Sequence, residues 1–227
     1  MRNLIARLLC IWLAVFSATV FAAATVSAVG GTVQLTPKNG KPGALAEGQR
    51  VESGAAIKTG SDSSVTLRFD DGQMVALTSN TSFVIDDYRF NPHKPAEGGF
   101  LSTLVRGGMR SVTGIIGKAN PSEVKVKVDT ATAGIRGTDF QLFYDGTRLF
   151  ISVRDGAVSM TNAGGVSLFD AKTSPSGVVP DAQTRARPTP LNEFPAAALG
   201  AIRRMDVNAT IGTKNPNPND PGCSDRR

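Results

Sequence analysis

The chain has 227 residues with 25 basic and 19 acidic side chains, a single histidine and two cysteines. A formal net charge of +6 is too mild to imply nucleic acid as a partner, and one histidine leaves few parts for a catalytic triad or a histidine-based zinc site. The length suits one large domain or two small ones.

Residues 1–24 read as a secretory signal peptide. Arg2 and Arg7 precede an apolar run from Leu8 to Ala24, and Ala22 and Ala24 form an A-x-A cleavage site. The run approaches a membrane-spanning length, but its second half is alanine-rich and no stop-transfer charges follow, which favours cleavage over a retained anchor. Leu9 stands before Cys10 where a lipoprotein needs a small residue, so lipidation is set aside. Cleavage removes Trp12 and Cys10 and leaves 23 basic against 19 acidic residues, the total of 25 less Arg2 and Arg7. Cys223 then stands alone, and no internal disulfide forms. The mature protein is expected to begin near Thr25, in the periplasm or secreted, with no later segment able to cross a membrane.

The chain after the signal peptide reads as one β domain over residues 25–170, dominated from 30 to 170 by period-two alternation, the signal of half-buried strands. GGTVQL places Val33 and Leu35 on one face, VTLRF places Val65, Leu67 and Phe69, and VKVKVD sets Val124, Val126 and Val128 against Lys125 and Lys127. SFVIDDYRF (82–90) alternates less cleanly, 86–99 is a long polar loop or protruding hairpin, and 120–123 is a turn. Asp-Gly occurs three times between apolar runs. At Asp71-Gly72 a three-residue loop over 70–72, with Gly72 left-handed, pairs Leu67 with Val75 and Val65 with Leu77; a slip of one residue would expose the larger apolar set. Two-residue loops at Asp145-Gly146 and Asp155-Gly156 pair Leu142 with Leu149 and Val153 with Val158, giving a meander. With no long helical pattern in this region, an all-β fold follows: a curled antiparallel β-sandwich or a β-solenoid-like domain.

Residues 171–227 change in composition. Eight of the thirteen prolines lie there, so this part is expected to be an extended, partly disordered tail. It holds one short helix at 195–205, with Pro195 in the first turn and Leu199, Ile202 and Met205 on one stripe.

Few residues could carry chemistry. His93 sits between two prolines of the polar excursion, where a solvated histidine is the ordinary outcome. The pairs Asp70-Asp71 and Asp86-Asp87 fall in no loop of alternating oxygen ligands, so no metal and no cofactor is expected. Gly134-Ile-Arg-Gly137 lacks the lysine and helix of a phosphate loop. Between 101 and 130 basic residues outnumber acidic ones. Lys125 and Lys127 read as the solvated side of a strand, and Arg106 and Arg110, flanking two glycines, as candidate basic contacts near a close approach. TATAGIRGTDF (130–140) holds the main candidate. Gly134 and Gly137 permit backbone angles other residues avoid, Arg136 offers five donors, and Asp139 stands three residues on, next to Thr138. Two readings follow: a polar clasp in which a buried Arg136 ties down carbonyls or Asp139, or an exposed recognition loop.

The G-x-V near residue 31, AIKTGSDSSVTLRFDDG, LVRGGMRSVTGIIGKANP and TATAGIRGTDF, in this order, resemble the FecR domain over about residues 28–165. The resemblance implies an all-β extracytoplasmic domain without known catalysis. In complete sigma regulators of that family a cytoplasmic anti-sigma segment and a membrane helix precede it. Only about seven residues precede the apolar run here, so direct control of a sigma factor is not expected. The expectation is a non-enzymatic module of envelope signalling or assembly that contacts another envelope protein. A glycan- or peptidoglycan-binding module is the alternative, weakened by the lack of tryptophan after cleavage and by having only Tyr88 and Tyr144 for stacking.

Overall fold

The computed structural model describes residues 23–212, with side chains from Ala24 to Met205. The expected signal peptide lies almost wholly outside the described residues, as does the chain beyond 212. The elements in order are β1 (Ala23–Gly30), β2 (Val33–Thr36), β3 (Gly43–Ala44), β4 (Arg50–Glu52), β5 (Ala56–Thr59), β6 (Ser64–Phe69), β7 (Met74–Leu77), β8 (Ser82–Arg89) and β9 (Gly99–Val112). A short helix α1 (Ile115–Ala119) and a 3₁₀ turn (Pro121–Glu123) follow, then β10 (Val124–Val128), β11 (Ala131–Tyr144), β12 (Leu149–Asn162), β13 (Gly165–Asp170), β14 (Ser176–Val179), β15 (Arg187–Pro188) and helix α2 (Ala196–Gly212).

The strands form one large, mixed but largely antiparallel sheet that does not close into a barrel. β9 is its junction. Its first half pairs with β8 on one edge and, in parallel, with β10 on the other. Its second half pairs with β7 and β11. The halves meet at Gly107, whose φ of +93° is left-handed and whose missing Cβ would stand 2.4 Å from the Thr81 hydroxyl. The branch β9-β7-β6-β1-β4 and the branch β9-β8-β5-β2-β3 leave this junction separately. Both feed one core with Val26, Leu67, Phe83, Phe100, Phe140 and Ile151. The alternation is why: β10 buries its three valines and exposes both lysines.

The turns decide register. At 70–72 the expected pairs Leu67–Val75 and Val65–Leu77 form, with Gly72 at φ +84°. At 145 the loop is longer than expected. Asp145 Oδ1 accepts from the amides of Thr147 and Arg148 at 2.8 and 2.7 Å, closing a four-residue turn that pairs Leu142 with Ile151 instead of Leu149. A shift of two residues keeps every side chain on its face, so the meander survives. Burial works to raise the Asp145 carboxyl, but those amides and the Arg148 guanidinium outweigh it and hold the pKa below the ordinary value. At Asp155-Gly156 no hairpin forms. β12 runs straight through as a fourteen-residue strand, and the dipeptide is a bulge.

Two expected boundaries fall within ordered structure. Ala23 and Ala24 pair with Glu52 and Val51 within β1, and Ala24 is fully buried, so a division after residue 24 would cut a strand of the sheet. The proline-rich stretch after 170 is not a loose tail over its described part. β14 pairs with β12, β15 pairs with β14, and α2 docks on the sheet through Ala198, Ile202 and Met205, which bury against Phe150, Val178 and Phe194. The stripe read from the sequence finds its partner in the outward face of the long β12, and prolines are admitted because β15 is a two-residue edge. Among the described residues no helix is long and apolar enough to cross a membrane.

Candidate functional site

The candidate stretch lies in the middle of β11, where β11 and β12 bulge against each other. Arg136 pairs with Ala157 and Asp139 with Asp155, leaving Gly137 and Thr138 opposite Gly156 alone; one residue later β12 makes up the difference at Arg154. Gly137 and Gly156 have φ of +59° and +72°. A Cβ on Gly156 would meet the Gly137 carbonyl oxygen at 2.4 Å, whereas one on Gly137 would enter open space. Glycine is thus required twice for its backbone and once for room.

The double bulge reverses which residues face outward. Before it Thr132, Gly134 and Arg136 do so; after it Asp139, Gln141 and Phe143 do, while Ile135, Thr138, Phe140 and Leu142 stay inside. Thr138 is fastened from the neighbouring turn. The Thr113 amide and hydroxyl both donate to the Thr138 carbonyl, at 2.9 and 2.8 Å, and the Thr138 amide donates to the Thr113 hydroxyl at 2.9 Å. Gly114 follows, where a side chain would collide with the buried Asp71 carboxylate; that carboxylate accepts from the amides of Gln73 and Ile116.

A clasp is present, but with a different arginine from the one expected. Arg110 on β9 reaches across to Asp139 with a two-pronged contact, Nε to Oδ1 at 2.8 Å and Nη2 to Oδ2 at 2.6 Å, and the two side chains are 13% and 20% exposed. Arg154 stands 3.7 Å from the same carboxylate. Arg136 is exposed instead, on the same outward face as Asp139, whose carboxylate is taken by Arg110 and Arg154. The intended partner was read three residues away; the actual one comes from 29 residues away across the sheet, a pairing that no local spacing encodes.

Arg136 lines an open cleft of about 570 Å³ on the outer face of β10–β12, with Lys125, Gly134 as floor, and the hydroxyls of Ser122, Thr132, Ser159 and Thr161. Arg106, the other basic candidate, is exposed elsewhere, beside Lys58, Asn80 and Ser82. Gly107 and Gly108, next to it, are the close approach read from the sequence, against Thr81 and Thr78. The sequence reading missed Thr113 and Arg154 and took Gly156 for a hairpin turn, though Thr113-Gly114 does stand as a turn signal after a strand.

The remaining titratable groups build structure. His93 is exposed in the loop between β8 and β9. Asp70 pairs with Arg50 at 3.1 Å and Asp87 with Arg89 at 2.8 Å, and Asp86 accepts from Thr103 at 2.7 Å. Among the described residues no three histidine, cysteine, aspartate or glutamate side chains gather as metal ligands. Tyr88 and Tyr144 are both buried, which pushes each phenol above its ordinary pKa, and the carboxylates of Asp71 and Asp129 beside them push further.

Residues 55–159 match the family model described as FecR protein. A comparison with curated protein sequences gives no match. Among solved structures, two crystal structures of a Parabacteroides distasonis protein assigned as an anti-sigma factor are similar at 15% identity, with a TM-score of 0.46, over 58% of this chain and 57% of that one. The chain therefore spans a little over half the length of that protein. A cell surface anchoring domain is similar at 28% identity and a TM-score of 0.26, over 27% of this chain and 80% of that domain.

Proposed function

The chain carries a FecR-family domain over residues 55–159, and from that premise we propose that it is an exported, non-enzymatic module of the cell envelope that works by contacting another protein. The observation that carries this reading is the outer face of β10–β12. It is shallow and open, holds a guanidinium and an ammonium over a glycine floor, and has no deep enclosure in which a reaction could be shielded from water. Glycan binding is the weaker reading, because both tyrosines are buried and supply no stacking surface.

Crosslinking in intact cells at native expression level tests the reading. A discrete adduct that co-purifies with the envelope fraction is expected; recovery of monomer alone overturns it. Export has its own measurement. Because Ala23 and Ala24 belong to β1, the released protein is expected to begin at Ala23, after Val20-Phe21-Ala22, rather than at Thr25. Intact mass separates these starts, and a mass that retains Trp12 sinks the cleaved form.

A further inference from the structure

The bare part of the outer face carries an ordered gradient of chemistry. Register fixes two rows across four strands. One runs Leu168 (β13), Ser159 (β12), Gly134 (β11), Lys125 (β10). The next runs Val166, Thr161, Thr132, Lys127. Each row is apolar at one end, hydroxyl-bearing or empty in the middle and cationic at the other. Leu168 and Val166 are 58% and 54% exposed, among the largest apolar exposures of the described residues. At about 4.8 Å per strand, the apolar and cationic ends stand about 14 Å apart. Arg136 stands one row further along β11 and adds a second cation to the Lys125 side of the cleft. Within these four strands the two rows contain no carboxylate; beyond β10 they continue through Leu101 and Thr103 of β9, where Asp87, paired with Leu101, is engaged by Arg89 and Asp86 accepts from Thr103. Of the carboxylates beside Arg136 in the next row, Glu123 is engaged by Arg89 and Asp170 caps its own turn through the Lys172 amide.

Resting on the reading of a protein-contact module, we propose that this face docks one segment of a partner protein, with carboxylates at one end and apolar side chains at the other. Charge complementarity sets the direction: carboxylates over Lys125, Lys127 and Arg136, apolar groups on Val166 and Leu168. Gly134 gives up its side-chain space to the Ser159 hydroxyl, which lies where a Cβ would stand and donates to the Gly134 carbonyl at 3.3 Å, so the middle of the row offers a hydroxyl. An anionic glycan would use the cations and hydroxyls but leave the two aliphatic side chains in water, which is why a peptide fits the whole face better.

The test uses the exported chain and three labelled probes in about 50 mM salt: a peptide with leucines at one end and glutamates at the other, an all-glutamate peptide of equal charge, and polygalacturonate. The leucine–glutamate peptide is expected to bind tightest, by about tenfold over all-glutamate. Lys125→Glu with Arg136→Glu should weaken both peptides about tenfold or more. Leu168→Ser should remove the advantage of the leucine peptide and leave the all-glutamate peptide unchanged. These positions are exposed, so unchanged melting serves as the folding control. Equal binding of the two peptides, tightest binding by polygalacturonate, or no binding at all overturns the proposal. If envelope crosslinks persist undiminished in a chain combining Lys125→Glu, Arg136→Glu and Leu168→Ser, the docking face is wrong while the module reading stands; if the unaltered chain gives none, that reading itself has failed.

Discussion

The outer face of the sheet comes in two halves that share strands but not fates. At one end Gln141, Phe143, Phe150 and Val178 lie under α2, with the Gln141 amide donating to the Ile202 carbonyl at 3.2 Å. At the other, Lys125, Arg136, Val166 and Leu168 face water. Between them runs the Arg110–Asp139–Arg154 ion-pair strip, set on the double bulge. The contrast teaches that β11 and β12 serve two purposes along one length. The bulge is where a strand that packs a helix becomes a strand that presents side chains.

The covered half should yield the largest effect. Ending the chain after Pro195 removes α2, and with it the burial of Ala198, Ile202 and Met205 and the partner of Gln141. Burying an isoleucine and a methionine is worth about 1.5–3 kcal/mol each, so a loss of about 4 kcal/mol is expected. A lower urea midpoint measures it. An unchanged midpoint would mean that the helix contributes nothing to the fold and that the two halves are equivalent.

The bulge comes next. Gly156→Ala places a methyl against the Gly137 carbonyl at a left-handed φ, for about 3 kcal/mol. Gly137→Ala meets only the backbone cost, about 1 kcal/mol. Equal losses from the two would show that crowding at Gly156 is relieved by movement of β11. Arg110→Ala leaves Asp139 in a partly buried place with only the more distant Arg154, for about 2 kcal/mol, and Arg110→Lys should restore little because an ammonium does not reproduce the two-pronged contact. Thermal melts of both arginine variants check this; full rescue by lysine would reduce the strip to a simple charge effect.

What was legible in the sequence was local. Valines spaced by two gave β10, and Asp71-Gly72 gave its turn because the alternative register would have turned apolar side chains to water. The same dipeptide at 155–156 misled, since Asp-Gly marks a left-handed residue without saying whether the chain reverses there. That is decided by Gly137 on the neighbouring strand, whose carbonyl needs the space beneath Gly156. The clasp was legible in kind but not in partner, because Arg136 and Arg110 share the outward face with Asp139 and only the register of β9 against β11 brings Arg110 to that carboxylate. The helix and its stripe were legible after 195, but what the stripe docks on was not, because Ile202 and Met205 needed Phe150 to be recognised as their partner.

The smallest effect on stability is expected at Arg136. Arg136 is exposed, and no hydrogen bond or ion pair holds it among the described residues. Surface substitutions of this kind move stability by less than about 0.5 kcal/mol. Arg136→Ala should therefore melt with the unaltered protein while losing adducts in the envelope crosslinking experiment. The paired measurement separates the two halves of the sheet directly: at Arg110 stability falls, and at Arg136 only contact with the partner does. A clear drop in melting temperature for Arg136→Ala would return the residue to the fold. It would also deprive the bare half of its central cation as a recognition element, leaving Lys125 and Lys127 to account for any acidic partner.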